Sequence, residues 1–213
     1  MKTKLIILFL LLTPIVDVFY SCCDCPETKN YKYSHKALLL KNLDNSGKKV
    51  IESESLQLNK NAYGIRIYLT REKNLVARAR QVNNVFVQSA YAFSCECLVP
   101  EFVYAPSDSI TSIKIFTIND FDDRHSENSD ITDYFRIAHS FSTIKDFVAN
   151  ERYTYKYGYR YHHSSEKPFE DELKIDLLLM TAPTMNNKQQ FKIQVTLSDR
   201  RIFEEQTTEI QLL

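Results

Sequence analysis

Phe191-Lys192-Ile193-Gln194-Val195-Thr196-Leu197-Ser198 is the stretch that decides the fold, because apolar and polar residues alternate along it without a break. Side chains of a β-strand point to opposite faces in turn, so a period of two places all the apolar residues on one face. The segment therefore predicts a strand with one face in a hydrophobic core and the other in water.

The same alternation recurs in two other places, Ile65–Thr70 and Leu173–Leu179. Further strands are expected in shorter apolar runs and at the end of the chain: 37–43, 85–93, 109–118 and 201–213. Turn-forming residues separate these segments: Asp44-Asn45-Ser46-Gly47, Asn83-Asn84, Asn186-Asn187 and Ser198-Asp199-Arg200. About seven strands with irregular connections predict a mainly β fold, an antiparallel immunoglobulin-like β-sandwich.

A short helical insertion is expected at about residues 130–150, where the period of two is lost. Asp130 can cap a helix that continues through Tyr134, Phe135 and Ala138. Thr143, with Asp146 three residues later, can open a second helix. The insertion interrupts one β-sandwich domain predicted at residues 36–213.

The first 22 residues have the pattern of an export signal. Lys2 and Lys4 precede the apolar stretch Leu5–Val16, whose twelve residues are too few for a membrane span of about 20. The small residue Ser21 precedes Cys22, as at bacterial lipidation sites. We therefore expect a lipoprotein signal peptide at 1–21, a lipid on Cys22, and a tether at 22–35. A poorly cleaved ordinary signal and an uncut anchor are the alternatives.

Charge excludes some classes of partner. The chain has 27 basic and 27 acidic residues, and removing 1–21 takes away Lys2, Lys4 and Asp17, which leaves 25 and 26. A nearly neutral chain without a long basic run does not predict a nucleic-acid partner. The membrane, reached through the N-terminal lipid, is the expected partner, and the expected location is the cell envelope, at the outer membrane.

Four short motifs resemble those of small Bacteroidetes envelope lipoproteins that contain a domain of unknown function: Ser21-Cys22-Cys23-Asp24-Cys25, Leu43-Asp44-Asn45-Ser46-Gly47, Ala62-Tyr63-Gly64-Ile65-Arg66 and Ser198-Asp199-Arg200-Arg201-Ile202-Phe203. The resemblance spans nearly the whole mature chain and implies an envelope lipoprotein, without implying a substrate. One position departs from it, because Arg200 stands where glycine is expected, and this puts a tight hairpin in doubt.

Cysteines left after acylation form two Cys-x-Cys units: Cys23, Cys25, Cys95 and Cys97. An even number in an oxidising compartment predicts disulfides. If the two segments pair antiparallel, Cys23 meets Cys97 and Cys25 meets Cys95, but three connectivities are open. A four-thiolate zinc site and free thiols in the tether are the alternatives, and zinc usually has wider ligand spacing.

Five tyrosines alternate with other residues near the middle of the second half: Tyr153, Tyr155, Tyr157, Tyr159 and Tyr161. In an extended strand all five would share one face. Such an aromatic stripe suits contact with a glycan or an envelope protein. The alternative is that the rings pack against the protein, or that Gly158 folds the segment into a hairpin.

No reaction has a local signature here. Glycines occur only at 47, 64 and 158, and no His-Glu-x-x-His spacing exists, so phosphate loops and zinc-protease motifs are excluded. An acidic stretch from Asp120 to Asp133 could bind calcium, but Arg124 and His125 depart from the EF-hand pattern, and a solvated loop is the preferred interpretation. No catalytic residue, metal or cofactor is predicted.

Two functions are consistent with these features. The first is a lipid-anchored, non-catalytic binding or assembly module of the envelope. The second is an envelope hydrolase whose site assembles from distant strands. The absence of motif chemistry favours the first.

Overall fold

The computed structural model of the protein describes residues 28–79, 101–157, 159–162 and 169–213. The predicted mainly β fold is confirmed, since 53% of these residues lie in strands. The described strands are β1 (Thr28–Asp44), β2 (Ile51–Glu52), β3 (Gln57–Leu58), β4 (Tyr63–Ala79), β5 (Glu101–Pro106), β6 (Ile110–Thr117), β7 (Phe135–Ile137), β8 (Tyr159–His162), β9 (Glu172–Leu179), β10 (Lys188–Gln189), β11 (Phe191–Leu197), β12 (Ile202–Gln206) and β13 (Ile210–Leu212). One α-helix, α1 (Ile144–Tyr157), is among the described residues.

The largest sheet has the strand order β7-β9-β4-β1-β5-β8, and β2 pairs with β1. Its central pair, β4 and β9, is antiparallel and runs in register from Gly64 opposite Leu178 to Thr70 opposite Glu172. Two three-stranded sheets accompany it, with the orders β12-β11-β6 and β10-β13-β3. The described pairings are antiparallel apart from β13 with β3, which is parallel.

Apolar faces of the largest sheet and of the β12-β11-β6 sheet share one core. In β11 the four residues Phe191, Ile193, Val195 and Leu197 are buried and those between them are partly exposed, as the alternation predicts. The Phe191 ring stacks on Tyr63 of β4 at 5.5 Å between ring centroids and meets Phe135 of β7 edge-on at 5.7 Å. Two antiparallel sheets facing each other across such a core make a sandwich-like arrangement.

Contacts divide the described chain into two compact units. The first comprises residues 28–31, 75–79, 101–104 and 160–162, and the rings of Tyr31 and Tyr104 stack within it at 5.2 Å. The second comprises 32–74, 105–157, 159 and 169–213, and it contains the hydrophobic core. Every site described below belongs to the second unit.

Two elements differ from the sequence predictions, and a third prediction is not covered by the described residues. β1 begins at Thr28, so residues 28–35 are strand and the predicted tether is too long. The first predicted helix is wrong: a 3₁₀ turn at Thr132–Tyr134 passes directly into β7. Phe135 and Ile137 are buried in the core and Arg136 between them is partly exposed. A strand places both apolar side chains on the same face, so the chain forms β7 here instead of a longer helix. The strand predicted at 85–93 lies outside the described residues.

The second predicted helix is confirmed, with the predicted start. The Asp146 amide donates to Thr143 Oγ1 at 3.1 Å, and Thr143 Oγ1 donates to Asp146 Oδ2 at 2.6 Å. Thr143 therefore satisfies an amide that has no partner inside the helix. Across the part of the chain that the structure describes, α1 included, no helix combines the length and the apolar character needed to span a membrane.

Candidate binding cleft

A cleft of about 290 Å³ opens beside the end of β1, the start of β4 and the end of β9. Its lining combines polar and apolar side chains from four parts of the chain, including Asn45, Lys60, Asn61, Phe141, Leu178 and Met180. We call it the Asn45–Phe141 cleft. Its volume is close to the lower limit of about 300 Å³ for small-molecule pockets.

One wall is the turn that follows β1. The Ser46 amide donates to Asp44 Oδ1 at 2.8 Å, and hydrogen bonds from the Ser46 side chain and backbone lower the pKa of Asp44. The Asn45 amide donates to the Ala62 carbonyl at 2.8 Å, which joins this turn to the residue preceding β4. Aspartate forms such a turn by accepting from the backbone two residues on, so Asp44 orients Asn45 at the cleft.

A second turn brings in Lys60 and Asn61. Asn59 accepts two backbone hydrogen bonds at 2.9 Å, from the Asn61 amide to Oδ1 and from the Ala62 amide to its carbonyl. The Lys60 amide donates to the carbonyl of Leu213 at 3.1 Å. These bonds fix the backbone under both side chains.

The base of the cleft is rigid. Tyr63 is fully buried, and its hydroxyl donates to Asn42 Oδ1 at 2.8 Å. Burial raises the pKa of Tyr63 far above its usual range, so the phenol stays protonated. At the next residue, a Cβ on Gly64 would lie 2.6 Å from the Leu177 carbonyl oxygen. β4 and β9 therefore approach each other where only glycine fits.

Phe141 forms the opposite rim in an unusual conformation. Its φ is 52°, in the left-handed region that bulky residues rarely occupy. The Phe141 amide donates to the Ile137 carbonyl at 2.8 Å, and the hydroxyls of Ser140 and Ser142 lie 2.7 Å apart. The side chain is nevertheless 61% exposed. The backbone of this loop is thus strained at Phe141 and held by a hydrogen bond, yet the Phe141 ring buries little of its area against the described chain.

Three polar side chains of the cleft are available to a ligand. Within the described residues, the side chains of Asn45, Lys60 and Asn61 make no hydrogen bond or ion pair. Met180 lies on the same rim and is 55% exposed. The cleft therefore combines two amides, one ammonium group, the exposed ring of Phe141 and one flexible thioether, and it contains no carboxylate among its lining residues.

A separate buried cluster joins β1 to two loops. His35 is 3% exposed and Asp108 is 1% exposed. His35 Nδ1 donates to Asp108 Oδ1 at 2.5 Å, and Arg201 donates from Nη2 to Asp108 Oδ2. Arg201 Nη1 also donates to the His35 carbonyl at 2.7 Å. The carboxylate must accept from Nδ1, so Nδ1 carries the proton, while Nε2 has no partner within the described chain.

A second ionic cluster lies between β4 and β9. Arg66 donates to both oxygens of Asp176, at 2.6 and 2.7 Å, and from Nη1 to Glu52 at 2.7 Å. The Tyr68 hydroxyl also donates to Glu52, and this bond, with the one from Arg66, lowers the pKa of Glu52. The bidentate pair fastens the two strands together.

The acidic stretch 120–133 forms local turns. Asp120 accepts from the Glu127 amide, Asp122 from the amides of Arg124 and His125, and Asp130 from Thr132. No cluster of three or more metal-ligating side chains occurs among the residues that the structure describes. These bonds are those of a turn-rich loop, the interpretation preferred from the sequence.

A larger cleft, of about 550 Å³, lies between β6 and α1. Two of its charged groups, Lys114 and Asp130, lie 3.4 Å apart and compensate each other. Asp130 also accepts from the amide and the hydroxyl of Thr132. Asp133 and Lys145 also line this cleft, and no aromatic side chain does. Because it lacks an exposed ring in a strained loop, this cleft is a weaker candidate than the Asn45–Phe141 cleft.

The predicted tyrosine stripe is wrong as a single strand. Tyr153, Tyr155 and Tyr157 lie in α1, while Tyr159 and Tyr161 lie in β8. Whether any of the five contacts a partner stays a prediction.

Cys22 and the four disulfide candidates, Cys23, Cys25, Cys95 and Cys97, lie outside the described residues. The lipid site and the disulfides therefore stay predictions.

Sequence reasoning missed Phe141 and the cluster in which the buried pair His35 and Asp108 meets Arg201. The sequence does contain a signal for Phe141: an aromatic residue stands between Ser140 and Ser142 in the connection between β7 and α1. His35 and Asp108 have no such signal, because their partners are far apart in sequence. The motifs at 43–47 and 62–66 do contribute Asn45, Ala62 and Tyr63 to the cleft.

Comparison with known proteins assigns this architecture to a family. The chain matches the family described as Domain of unknown function (DUF5034) over residues 35–208, and it belongs to that family. The matched range includes every residue that lines the Asn45–Phe141 cleft. The family description states no activity. No curated protein and no solved structure gives a significant match.

Proposed function

We propose that this protein is a lipid-anchored, non-catalytic binding module of the cell envelope, and that the Asn45–Phe141 cleft is its binding site. The observation that carries the proposal is the exposed, strained Phe141 ring beside three polar side chains that have no partner in the described chain. A strained backbone costs free energy, and an exposed ring recovers little of it by packing. Strain of this kind is concentrated at ligand sites.

The chemistry of the cleft favours binding over reaction. Amide and ammonium groups bind polar ligands, whereas general acid–base catalysis needs a titratable pair in reach of the substrate. Among the described residues that line the cleft, two side chains titrate, Lys60 and Tyr63, and the Tyr63 hydroxyl is already bonded to Asn42. Lys60 alone would be available to move a proton. A hydrolase is the second class, and the His35–Asp108 pair resembles a general base. Its Nε2 is buried, so a substrate cannot reach it, and we prefer the binding function.

Attachment follows from the signal sequence. We propose that Cys22 becomes the acylated N-terminus of a Bacteroidetes-type envelope lipoprotein, residing at the outer membrane. Each buried acyl methylene contributes about 0.8 kcal/mol of membrane affinity, so two or more chains hold a protein nearly permanently. The folded body can then bind its partner without itself inserting into lipid.

The binding function is tested with the full-length lipoprotein in detergent on an array of envelope polysaccharides and envelope proteins. Asn61→Ala should reduce binding to the retained partner at least tenfold, because it removes an exposed amide from the cleft. The matched control is Asn187→Ala, an exposed asparagine outside the cleft, which should bind like the wild type. Equal binding by both variants, or no retained partner, would contradict the proposal.

Lipid attachment is tested separately by mass spectrometry of the native product and by fractionation. Cys22→Ser should move the protein from the membrane fraction to the soluble fraction. An unmodified Cys22 in the wild type would refute the anchor.

A further inference from the structure

The polar groups of the Asn45–Phe141 cleft identify a class of ligand, in an argument that rests on the proposed binding function. We propose that the cleft binds an acidic saccharide, with one sugar ring stacked on Phe141 and a sugar carboxylate paired with Lys60. Asn45 and Asn61 then hydrogen-bond the ring hydroxyls.

Phe141 supplies a flat apolar face at a fixed position. Its side chain is 61% exposed, and the hydrogen bond from its amide to Ile137 closes the loop that carries it. A pyranose ring presents one face of C–H groups, and a rigid aromatic ring covers such apolar area at little cost in conformational entropy.

The amide side chains match the rest of a sugar. Each asparagine offers an acceptor oxygen and two donor hydrogens, so each can bond a pair of neighbouring hydroxyls, which donate and accept in the same way. The backbone beneath Asn45 and Asn61 is fixed by bonds to Ala62 and Asn59. The backbone positions from which these donors and acceptors extend are therefore fixed.

Lys60 adds a charge requirement. Its side chain is half-buried and forms no ion pair with the described residues. Asp44, in the turn that carries Asn45, accepts instead from the Ser46 amide at 2.8 Å. A charge-assisted hydrogen bond to a ligand anion is about twice as strong as a neutral one. The cleft should therefore prefer a carboxylated sugar over its neutral analogue.

An extended peptide fits the same place less well. Peptides that add to a sheet need a free strand edge, but β4 lies between β9 and β1, and β9 lies between β7 and β4. The amide of Met180, just after β9, already donates to the Tyr134 carbonyl at 2.8 Å. Main-chain pairing, the usual source of peptide affinity, is thus not offered here.

The test uses the full-length lipoprotein in detergent and oligosaccharides of galacturonic, glucuronic and mannuronic acid, each paired with its methyl ester. Calorimetric titration should show binding of at least one acid, and at least tenfold weaker binding of its ester. Lys60→Met should remove that preference, whereas Lys49→Met, at an exposed lysine outside the cleft, should keep it. Asn45→Ala should weaken the binding of the acid and the binding of its ester by the same factor.

Three results would overturn the inference. Equal affinity for acid and ester would refute the role of charge while leaving the binding function intact. Competition by acetate at the concentration of the sugar would show that a carboxylate alone is recognised. Binding of a protein on the array with no binding of any uronic acid would assign the cleft to a different ligand class and keep the proposed function.

Discussion

Individual residues in left-handed conformations show where this chain accepts strain. Phe141 has φ of 52° and Arg200 has φ of 72°, and a non-glycine residue in this region costs about 1–2 kcal/mol. Arg200 stands where glycine was expected, and the β11–β12 hairpin forms nevertheless, closed by the bond from the Leu197 amide to the Arg201 carbonyl at 2.9 Å. The loop so closed has three residues, Ser198, Asp199 and Arg200, so a two-residue hairpin does not form, and Arg200 takes the left-handed position without glycine.

At this scale we predict that Phe141→Gly keeps or raises the melting temperature and abolishes ligand binding. Glycine relieves the backbone strain, which offsets its entropic cost of about 0.5–1 kcal/mol, and the exposed ring contributes little packing. Arg200→Gly is the matched control, because it relieves similar strain away from the cleft and should leave binding unchanged. A large loss of stability in Phe141→Gly, measured by thermal unfolding, would show that the ring is structural.

At the scale of elements, the close approach of β4 and β9 positions the cleft. Gly64 lies opposite Leu178 in the register of the two strands, and Leu178 lines the cleft. The bidentate Arg66–Asp176 pair fastens the same two strands two residues further along. The cleft therefore depends on the pairing of β4 with β9. Gly64 allows the two strands to approach closely, and the Arg66–Asp176 ion pair holds them together two residues further along.

We predict that Gly64→Ala destabilises the protein by about 2 kcal/mol, because overpacking of this kind costs about 1–3 kcal/mol. The new Cβ would meet backbone, at 2.6 Å from the Leu177 oxygen, and also Leu43 Cβ at 3.3 Å. Gly47→Ala serves as the control, since the nearest atom there is 3.9 Å away. Urea unfolding measures both, and equal midpoints would contradict the packing argument.

The whole molecule responds to acid through carboxylates that are hydrogen-bonded in the native state. The pKa of Asp44 is lowered by Ser46, that of Glu52 by Tyr68 and Arg66, and that of Asp199 by the Arg201 backbone and side chain. Each group binds its proton more weakly when folded than when unfolded. The stability it contributes is therefore complete above the unfolded pKa of about 4 and is lost as pH falls through the folded pKa.

We predict a melting temperature that is nearly constant from about pH 7 to pH 5 and falls below about pH 4. Glu52→Gln should flatten this acid dependence, because glutamine does not titrate. A melting temperature that rises below pH 4 would contradict the assignment.

Local periodicity was sufficient for much of the fold. The alternation at 191–198 and 65–70 fixes two strands and their inward faces, since side-chain period depends only on backbone geometry. Segment 173–179 is also a strand, but β9 is buried on both faces from Ile175 to Leu179, so the period of two does not give it a single inward face. The capping pair Thr143 and Asp146 likewise fixes the start of α1. Between Tyr153 and Tyr161, however, an alternating pattern fell largely within a helix, because a period of two in residue type alone does not exclude helical backbone.

By itself the sequence determined the strand-rich class, the inward faces of β4 and β11 and the start of α1, because these follow from neighbours within a few residues. Only the tertiary structure decided that Asn45, Asn61 and Phe141 line one cleft and that the buried pair His35 and Asp108 meets the partly exposed Arg201. Those groups come from segments far apart in the chain, and their meeting depends on strand order and register, which local periodicity does not specify.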